Sequence, residues 1–170
     1  MIFIRRADLA DAKIIASLGR VTFTETFGDL FNEPELEDYL LKTFSVEKIF
    51  NSLKKQNNIY WIACFNEEPV GYAKIKLDSK VEDIEFKEQI QLQKIYILKQ
   101  FLDKRIGSEL LKQILMSEEV KKSSIVWLVV LHTNERAIIF YEKFGFRKLK
   151  KHNQQIGKTI FTYELMVKEI

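Results

Sequence analysis

Residues 124–131, SIVWLVVL, form a run that is apolar from its second residue to its last. A strand with one face in water alternates polar and apolar side chains, whereas a strand covered on both faces is apolar throughout. Eight residues suit a strand and fall far short of the roughly 20 apolar residues that cross a bilayer. The run therefore predicts an interior strand of a sheet that helices cover on both faces.

The rest of the chain supplies those helices and further strands. Alternating or β-rich runs predict strands at 1–7, 58–65, 70–77 and 89–98 and a hairpin over 146–169. Apolar residues spaced by three and four predict helices at 9–27, 33–44, 45–56, 106–115 and 134–146. No linker or repeat divides the chain. We expect one domain over residues 1–170, of the α/β (α+β) class, with a single mixed sheet flanked by helices.

The composition excludes several classes of protein. The 170 residues carry 27 Lys and Arg against 24 Asp and Glu, a net charge of +3, which is too small to indicate nucleic acid binding. The single cysteine, Cys64, lies in a predicted strand and indicates a buried thiol rather than a disulfide framework. The apolar start is too short for a signal peptide, and no stretch reaches membrane-spanning length. We therefore expect a cytoplasmic protein with no membrane partner.

Several common catalytic motifs are missing from the sequence. It contains no phosphate-binding P-loop, no dinucleotide-binding glycine turn and no nucleophile elbow. Two histidines and one cysteine make a metal cluster improbable, so no metal is expected.

A basic loop leads from the strand at 89–98 into the helix at 106–115. It carries Lys99, Lys104 and Arg105, and Gly107 allows a close backbone approach. A helix N-terminus adds unpaired N–H groups and a partial positive charge. The loop therefore indicates a phosphate site, although many basic strand-to-helix loops bind nothing.

The helix at 134–146, NERAIIFYEKFGF, carries a second candidate site. Asn134 and Tyr141 are seven residues apart, which is two helical turns, so both lie on one face with the small Ala137 between them. Tyr141 could be a half-buried aromatic residue without a role, or a proton donor to a ligand.

Together these two segments resemble the GNAT superfamily of N-acetyltransferases, which use acetyl-CoA. LQKIYILKQFLDKRIGSELL (residues 92–111) is similar to the cofactor strand and to the pyrophosphate loop [RQ]-x-x-G-x-[GA]. Gly107 fits that loop, but Leu102 stands in place of Arg or Gln and Arg105 in place of the first Gly. The second segment matches the motif N-x-x-A-x-x-F-Y-x-x-x-G-F at Asn134, Ala137, Phe140, Tyr141, Gly145 and Phe146.

The resemblance implies a mostly antiparallel sheet that splays open between the cofactor strand at 90–98 and the next strand at 124–131. Pantetheine would lie in the splay and the pyrophosphate on the loop. The implied cofactor-binding residues are Ile95, Tyr96, Ile97, Asp103, Lys104, Arg105, Ile106, Gly107, Ser108, Asn134 and Tyr141. Family precedent makes Tyr141 the catalytic residue that serves the leaving thiolate, and a backbone N–H at a bulge in the strand would stabilise the oxyanion.

FTETFGDLFNEPELEDYL and the tail GKTIFTYELMVKE are most similar to PaiA-type spermidine/spermine N-acetyltransferases. Residues 24–47 carry seven Asp and Glu against one Lys, which would attract a polycation. Glu25, Glu35 and Asp38 are the substrate-binding candidates, and a small-molecule polyamine is the expected acceptor. The acidic stretch could equally be a solvated helix face.

Other interpretations stay open. The acceptor could be a protein N-terminus or a lysine, or the chain could be a non-catalytic acyl-CoA-binding regulatory module. A nucleic-acid binder, suggested by FRKLKKH at 146–152, lacks the accompanying aromatic motifs. The sequence leaves a homodimer open and does not identify the general base.

Overall fold

The computed structural model describes residues 1–82 and 84–170, and in this part of the chain seven strands form one sheet in the order β1-β2-β3-β4-β5-β7-β6. The strands are β1 Ile2–Arg6, β2 Asn58–Phe65, β3 Glu68–Lys76, β4 Gln89–Ile97, β5 Ile125–Leu131, β6 Arg147–Ile156 and β7 Thr159–Glu169. The helices are α1 Ala12–Phe27, α2 Glu33–Phe44, α3 Val46–Leu53, α4 Ile106–Leu115, α5 Glu118–Lys121 and α6 Glu135–Lys143.

The predicted order of elements is confirmed, and the helix ends follow from local chemistry. Ser45 begins α3 by accepting a hydrogen bond from the Lys48 N–H at 3.2 Å. Gly145 follows α6 with φ of +86°, a conformation that favours glycine after a helix. Helix α5 was not predicted, because a helix of four residues is too short to show a periodic pattern.

The splay between β4 and β5 is confirmed. These strands are the parallel pair in an otherwise antiparallel sheet, and they pair only at Gln89–Ile125, Ile90–Val126 and Gln91–Trp127. Beyond Gln91 they diverge, so the second half of β4 has a neighbour, β3, on one edge alone. The sheet therefore opens between the two strands where the cofactor was expected to lie.

Helices cover the two faces of the sheet. Helix α4 packs on one face with Val126, Leu128 and Val130 of β5, and α1, α2 and α3 pack on the other face against β2 and β3. Ile125 and Trp127 point to the opposite side of β5 and join a third apolar cluster. The apolar run at 124–131 is thus buried on both faces, as predicted, but its second face packs against Val81 and Ile84 of the connection between β3 and β4 and not against a helix.

Within the described residues, none of the helices combines the length and the apolar character that crossing a membrane requires.

Candidate active site

The divergence of β4 and β5 opens a cavity of about 820 Å³. Gln91 to Ile97 of β4 form one wall and Val129 to Leu131 of β5 form another. Helix α6 and the turn before α4 close one end, and α1, α2 and α3 contribute the opposite end. We call the part near α4 and α6 the phosphate end and the part near α2 and α3 the acceptor end.

The free edge of β4 offers backbone groups to the cavity. The Leu98 N–H donates to the Val70 carbonyl at 2.9 Å, so Leu98 directs its backbone groups toward β3. Backbone groups in an antiparallel strand alternate in direction, and Ile95 and Ile97 therefore direct theirs toward the splay. An extended ligand with amide groups could pair with β4 there as a further strand would.

Strand β4 also carries the expected bulge. Lys94 lies opposite Lys74 and Leu92 lies opposite Ile75, which leaves Gln93 without a partner on β3. A bulge breaks the ladder and turns a backbone N–H out of it. Gln93 also lines the cavity, so the bulge borders the space that the splay opens.

The turn before α4 has a strained backbone at Arg105. Its φ of 60° and ψ of 12° are left-handed, a conformation that favours glycine, the residue expected at this position from the motif. Helix α4 has no side-chain cap, so its first N–H groups are available to an anion. Arg105 thus adopts the left-handed backbone that a glycine would adopt here, and its guanidinium group adds a positive charge to the turn.

The predicted loop residues divide into two groups. Arg105, Gly107 and Ser108 line the cavity, whereas Ile106 is fully buried in the core beneath it. Asp103 accepts a hydrogen bond from the Arg136 guanidinium at 3.0 Å, and Lys104 places its Nζ 5.4 Å from the Phe65 ring. Neither Asp103 nor Lys104 is part of the cavity lining, although Arg136 is.

Asn134 and Tyr141 line the same cavity. The Asn134 side-chain oxygen accepts from the Ala137 N–H at 3.2 Å and so begins α6, which leaves its amide NH₂ as the remaining donor. The Tyr141 ring packs edge-on against Phe146, with centroids 5.8 Å apart. Burial raises the pKa of the Tyr141 hydroxyl well above its usual range, so it keeps its proton and can donate it in a hydrogen bond.

The predicted substrate carboxylates lie in three different places. Glu25 lines the cavity, and its carboxylate accepts from the Lys99 N–H at 2.9 Å. Glu35 lies beside the turn at Gly157, and Asp38 pairs with Lys42 at 2.7 Å on the exposed side of α2. Neither Glu35 nor Asp38 lines the cavity.

A model of the acetyltransferase (GNAT) family matches residues 23–146, which is most of the chain and includes β4, the turn before α4 and α6. The chain belongs to the GNAT acetyltransferase family. Membership confirms the predicted enzyme class, an acyltransferase.

Two curated relatives of this GNAT protein are similar over most of their length. One is an uncharacterized N-acetyltransferase of Lactobacillus delbrueckii subsp. lactis, 23% identical over 141 residues, which are 83% of this chain and 82% of the relative. The other is a spermidine N(1)-acetyltransferase of Thermoplasma acidophilum, 25% identical over 151 residues, which are 85% of this chain and 87% of the relative.

Solved structures share the fold of this GNAT protein. The PaiA N-acetyltransferase of Thermoplasma acidophilum, in complex with coenzyme A, has a TM-score of 0.80 and 20% identity and covers 100% of this chain and 99% of its own. The Arabidopsis thaliana NAA60 structure with a bisubstrate analogue has a TM-score of 0.74 and 19% identity and covers 100% of this chain and 98% of its own. The predicted architecture is therefore confirmed.

The sequence did not reveal two lysines in the cavity of this GNAT protein, Lys74 and Lys94. They lie on different strands and meet because their positions are register partners across β3 and β4. Burial lowers the pKa of each ammonium to about 8. Each lysine alone looks like a polar residue in an alternating strand, so only the strand register could have signalled the pair.

Proposed function

We propose that this chain transfers the acetyl group of acetyl-CoA to a small primary amine. The observation that carries the proposal is the free edge of β4, where a bulge at Gln93 lies in the same cavity as Tyr141. An extended ligand on that edge would bring its end to the bulge.

Two parts of the chain would hold the cosubstrate. The backbone groups of Ile95 and Ile97 would pair with the amide groups of pantetheine. The N–H groups at Gly107 and Ser108 would bind the pyrophosphate, and Arg105 would add a charged donor. Leu102, which also lines the cavity, offers no polar group to this site.

The chain's own groups then account for the transfer. As the neutral amine attacks, the C–N bond forms, the C–S bond breaks, CoA leaves as the thiolate, and the proton that the nitrogen loses passes to solvent. The N–H groups around Gln93 would stabilise the negative charge that develops on the carbonyl oxygen. The Tyr141 hydroxyl would donate a hydrogen bond to the sulfur that leaves. Because its pKa is raised, hydrogen bonding to the thiolate is favoured over complete proton transfer.

A polyamine acceptor has its own support and an opposing observation. The support is the Thermoplasma relative that is named for spermidine, together with Glu25 in the cavity lining. The cavity, however, is lined by six basic side chains and one carboxylate among the described residues. Spermidine and a lysine-containing peptide are therefore both tested as acceptors.

The test is thiol release from acetyl-CoA by the purified chain, with and without each amine, and calorimetric titration with CoA. Release that an amine stimulates, together with CoA binding, supports the proposal. Binding of CoA without stimulated release by any amine would favour the non-catalytic acyl-CoA-binding alternative. No binding of CoA would contradict the proposal altogether.

A further inference from the structure

Lys74 and Lys94 form a pair of cations in the wall of the cavity. They are direct register partners on neighbouring strands, and both line the acceptor end. Lys94 Nζ lies 5.2 Å from the centre of the Phe44 ring, and Lys74 Nζ lies 5.5 Å from that of Tyr60. Within residues 1–82 and 84–170, neither ammonium has a carboxylate within ion-pair distance.

This arrangement is unfavourable in the free protein. Like charges directly opposite each other on a sheet repel, and partial burial removes the water that would screen them. Cation–π contacts with the two rings offset only part of this cost. Apolar side chains of similar size could contact the same rings without the cost of desolvating a charge.

The surroundings of the pair complete a site for an anion. Lys48, another lining residue, adds a third positive charge from α3. Tyr60 and Ser52, which share a hydrogen bond of 2.8 Å, also line this end and supply hydroxyl groups. Glu25, the one carboxylate in the cavity lining of the described residues, instead accepts a hydrogen bond from the Lys99 N–H in the connection after β4.

We propose that Lys74 and Lys94 bind an anionic group of the acceptor, so that the substrate is a small primary amine that also carries a carboxylate or a phosphate. This inference rests on the proposed function, since it concerns the acceptor of the same transfer. Lys94 immediately follows the bulge at Gln93 in β4, so a bound anion holds the amine beside the reacting carbonyl. The same two ammonium groups repel a polycation, which sets this acceptor apart from spermidine.

The test uses primary amines of equal chain length that end in a carboxylate, a phosphate monoester, a hydroxyl or a second ammonium. We expect kcat/KM at saturating acetyl-CoA to be highest for one of the two anionic amines, and their ranking separates carboxylate from phosphate. Lys74→Gln and Lys94→Gln should each raise KM for that amine by about tenfold to one-hundredfold. Their kcat/KM for the hydroxyl-ended amine should fall by a smaller factor, because that amine has no anionic group for the lysines to bind.

Lys76→Gln is the matched control, because Lys76 lies two residues along β3 on the same face but outside the cavity lining. It should leave KM for every amine unchanged. A preference for the ammonium-ended or hydroxyl-ended amine would overturn the inference. So would an equal loss of kcat for all four amines in the lysine variants, because that pattern belongs to a group acting in the chemistry.

Calorimetry separates this inference from the proposed function. The same four amines are titrated into the protein loaded with CoA, where no acetyl group can be transferred. Tighter binding of an anionic amine that Lys74→Gln and Lys94→Gln weaken supports the lysine site even if no amine stimulates thiol release. Equal binding of all four amines contradicts the lysine site even if acetyl transfer is observed.

Discussion

The two ends of the cavity are both basic, but they hold their charges differently. At the phosphate end Arg136 has a side chain 66% exposed and pairs with Asp103, and Arg105 is exposed on the turn before α4. At the acceptor end Lys74 and Lys94 are partly buried, face each other and have no carboxylate partner among the described residues. Charge in water costs little, whereas charge shielded from water and counter-ions lowers stability. The charges at the acceptor end therefore lower the stability of the fold more than those at the phosphate end.

Removing the hydroxyl of Tyr141 should slow acetyl transfer without weakening ligand binding at either end of the cavity. We expect Tyr141→Phe to lower kcat by about one-hundredfold, the usual contribution of one positioned hydrogen-bond donor to a developing negative charge. The acetyl-CoA Kd should change less than about twofold, because the ring and its contact with Phe146 remain. Steady-state kinetics and calorimetry measure the two quantities. Tyr163→Phe, at another lining tyrosine, is the control, and unchanged turnover in Tyr141→Phe would refute the donor role.

Replacing one shielded lysine should sharpen the contrast between the two ends. Lys94→Met should raise the free energy of unfolding by roughly 1–2 kcal/mol at pH 7, because it removes a charge that folding places against Phe44 and Lys74. Arg136→Met at the exposed end should change it by less than about 0.5 kcal/mol. Denaturant unfolding measures both values, and a loss of stability in Lys94→Met would contradict the contrast.

The pH dependence of stability gives the same contrast a second readout. Burial lowers the pKa of Lys94 from 10.5 to about 8, so the unfolded chain binds more protons between those values. Stability should therefore rise as the pH rises from about 8 toward 10, and Lys94→Met should flatten that rise. Arg136→Met should leave the rise intact.

Substitutions of Arg105 test whether backbone strain at the phosphate end also lowers the stability of the fold. Arg105→Gly should unfold with a free energy about 1 kcal/mol higher than Arg105→Ala, because alanine keeps the strain of the left-handed turn. Both variants should weaken acetyl-CoA binding by about threefold to tenfold through loss of the guanidinium. Arg105→Lys retains a charge and should bind more tightly than either. Equal stability of the glycine and alanine variants would show that the turn is not strained.

Gly107→Ala should have the smallest effect. A Cβ at this position would lie 3.8 Å from Ile97 and from Phe140, which is ordinary contact, and alanine favours the helix. The free energy of unfolding should change by less than about 0.5 kcal/mol and the acetyl-CoA Kd by less than about threefold. A much larger loss of affinity, with stability unchanged, would mean that the ligand approaches the backbone more closely than the cavity indicates.

The phosphate end could largely be predicted from the sequence, because its parts are continuous in the chain. The loop with Arg105 and Gly107 and the helix with Asn134 and Tyr141 are local patterns, and the structure brings them to one cavity. The side chains of Asp103 and Lys104 could not be placed in this way, because their directions depend on the partners Arg136 and Phe65 from other segments.

The residues of the acceptor end could not be predicted from local sequence patterns, because they meet only through the tertiary structure. The cluster of carboxylates at 24–47 is prominent in the sequence. In the structure, however, Asp38 forms an ion pair with Lys42 on the surface of α2, and Glu35 lies beside the turn at Gly157. Lys74 and Lys94 are 20 residues apart and meet only through the register of β3 and β4. The bulge at Gln93 sets that register, and no single segment encodes it.

The most direct test of the account is residue-resolved amide hydrogen exchange of the chain with and without CoA, measured by NMR. We predict slower exchange at Ile95 and Ile97 on the free edge of β4 and at Gly107 and Ser108, with no change at residues 147–152 of β6, which are exposed and lie outside the cavity lining. This pattern would show that the ligand pairs with β4 inside the splay. Unchanged exchange at Ile95 and Ile97 in the CoA-saturated protein would contradict the pairing of the ligand with β4.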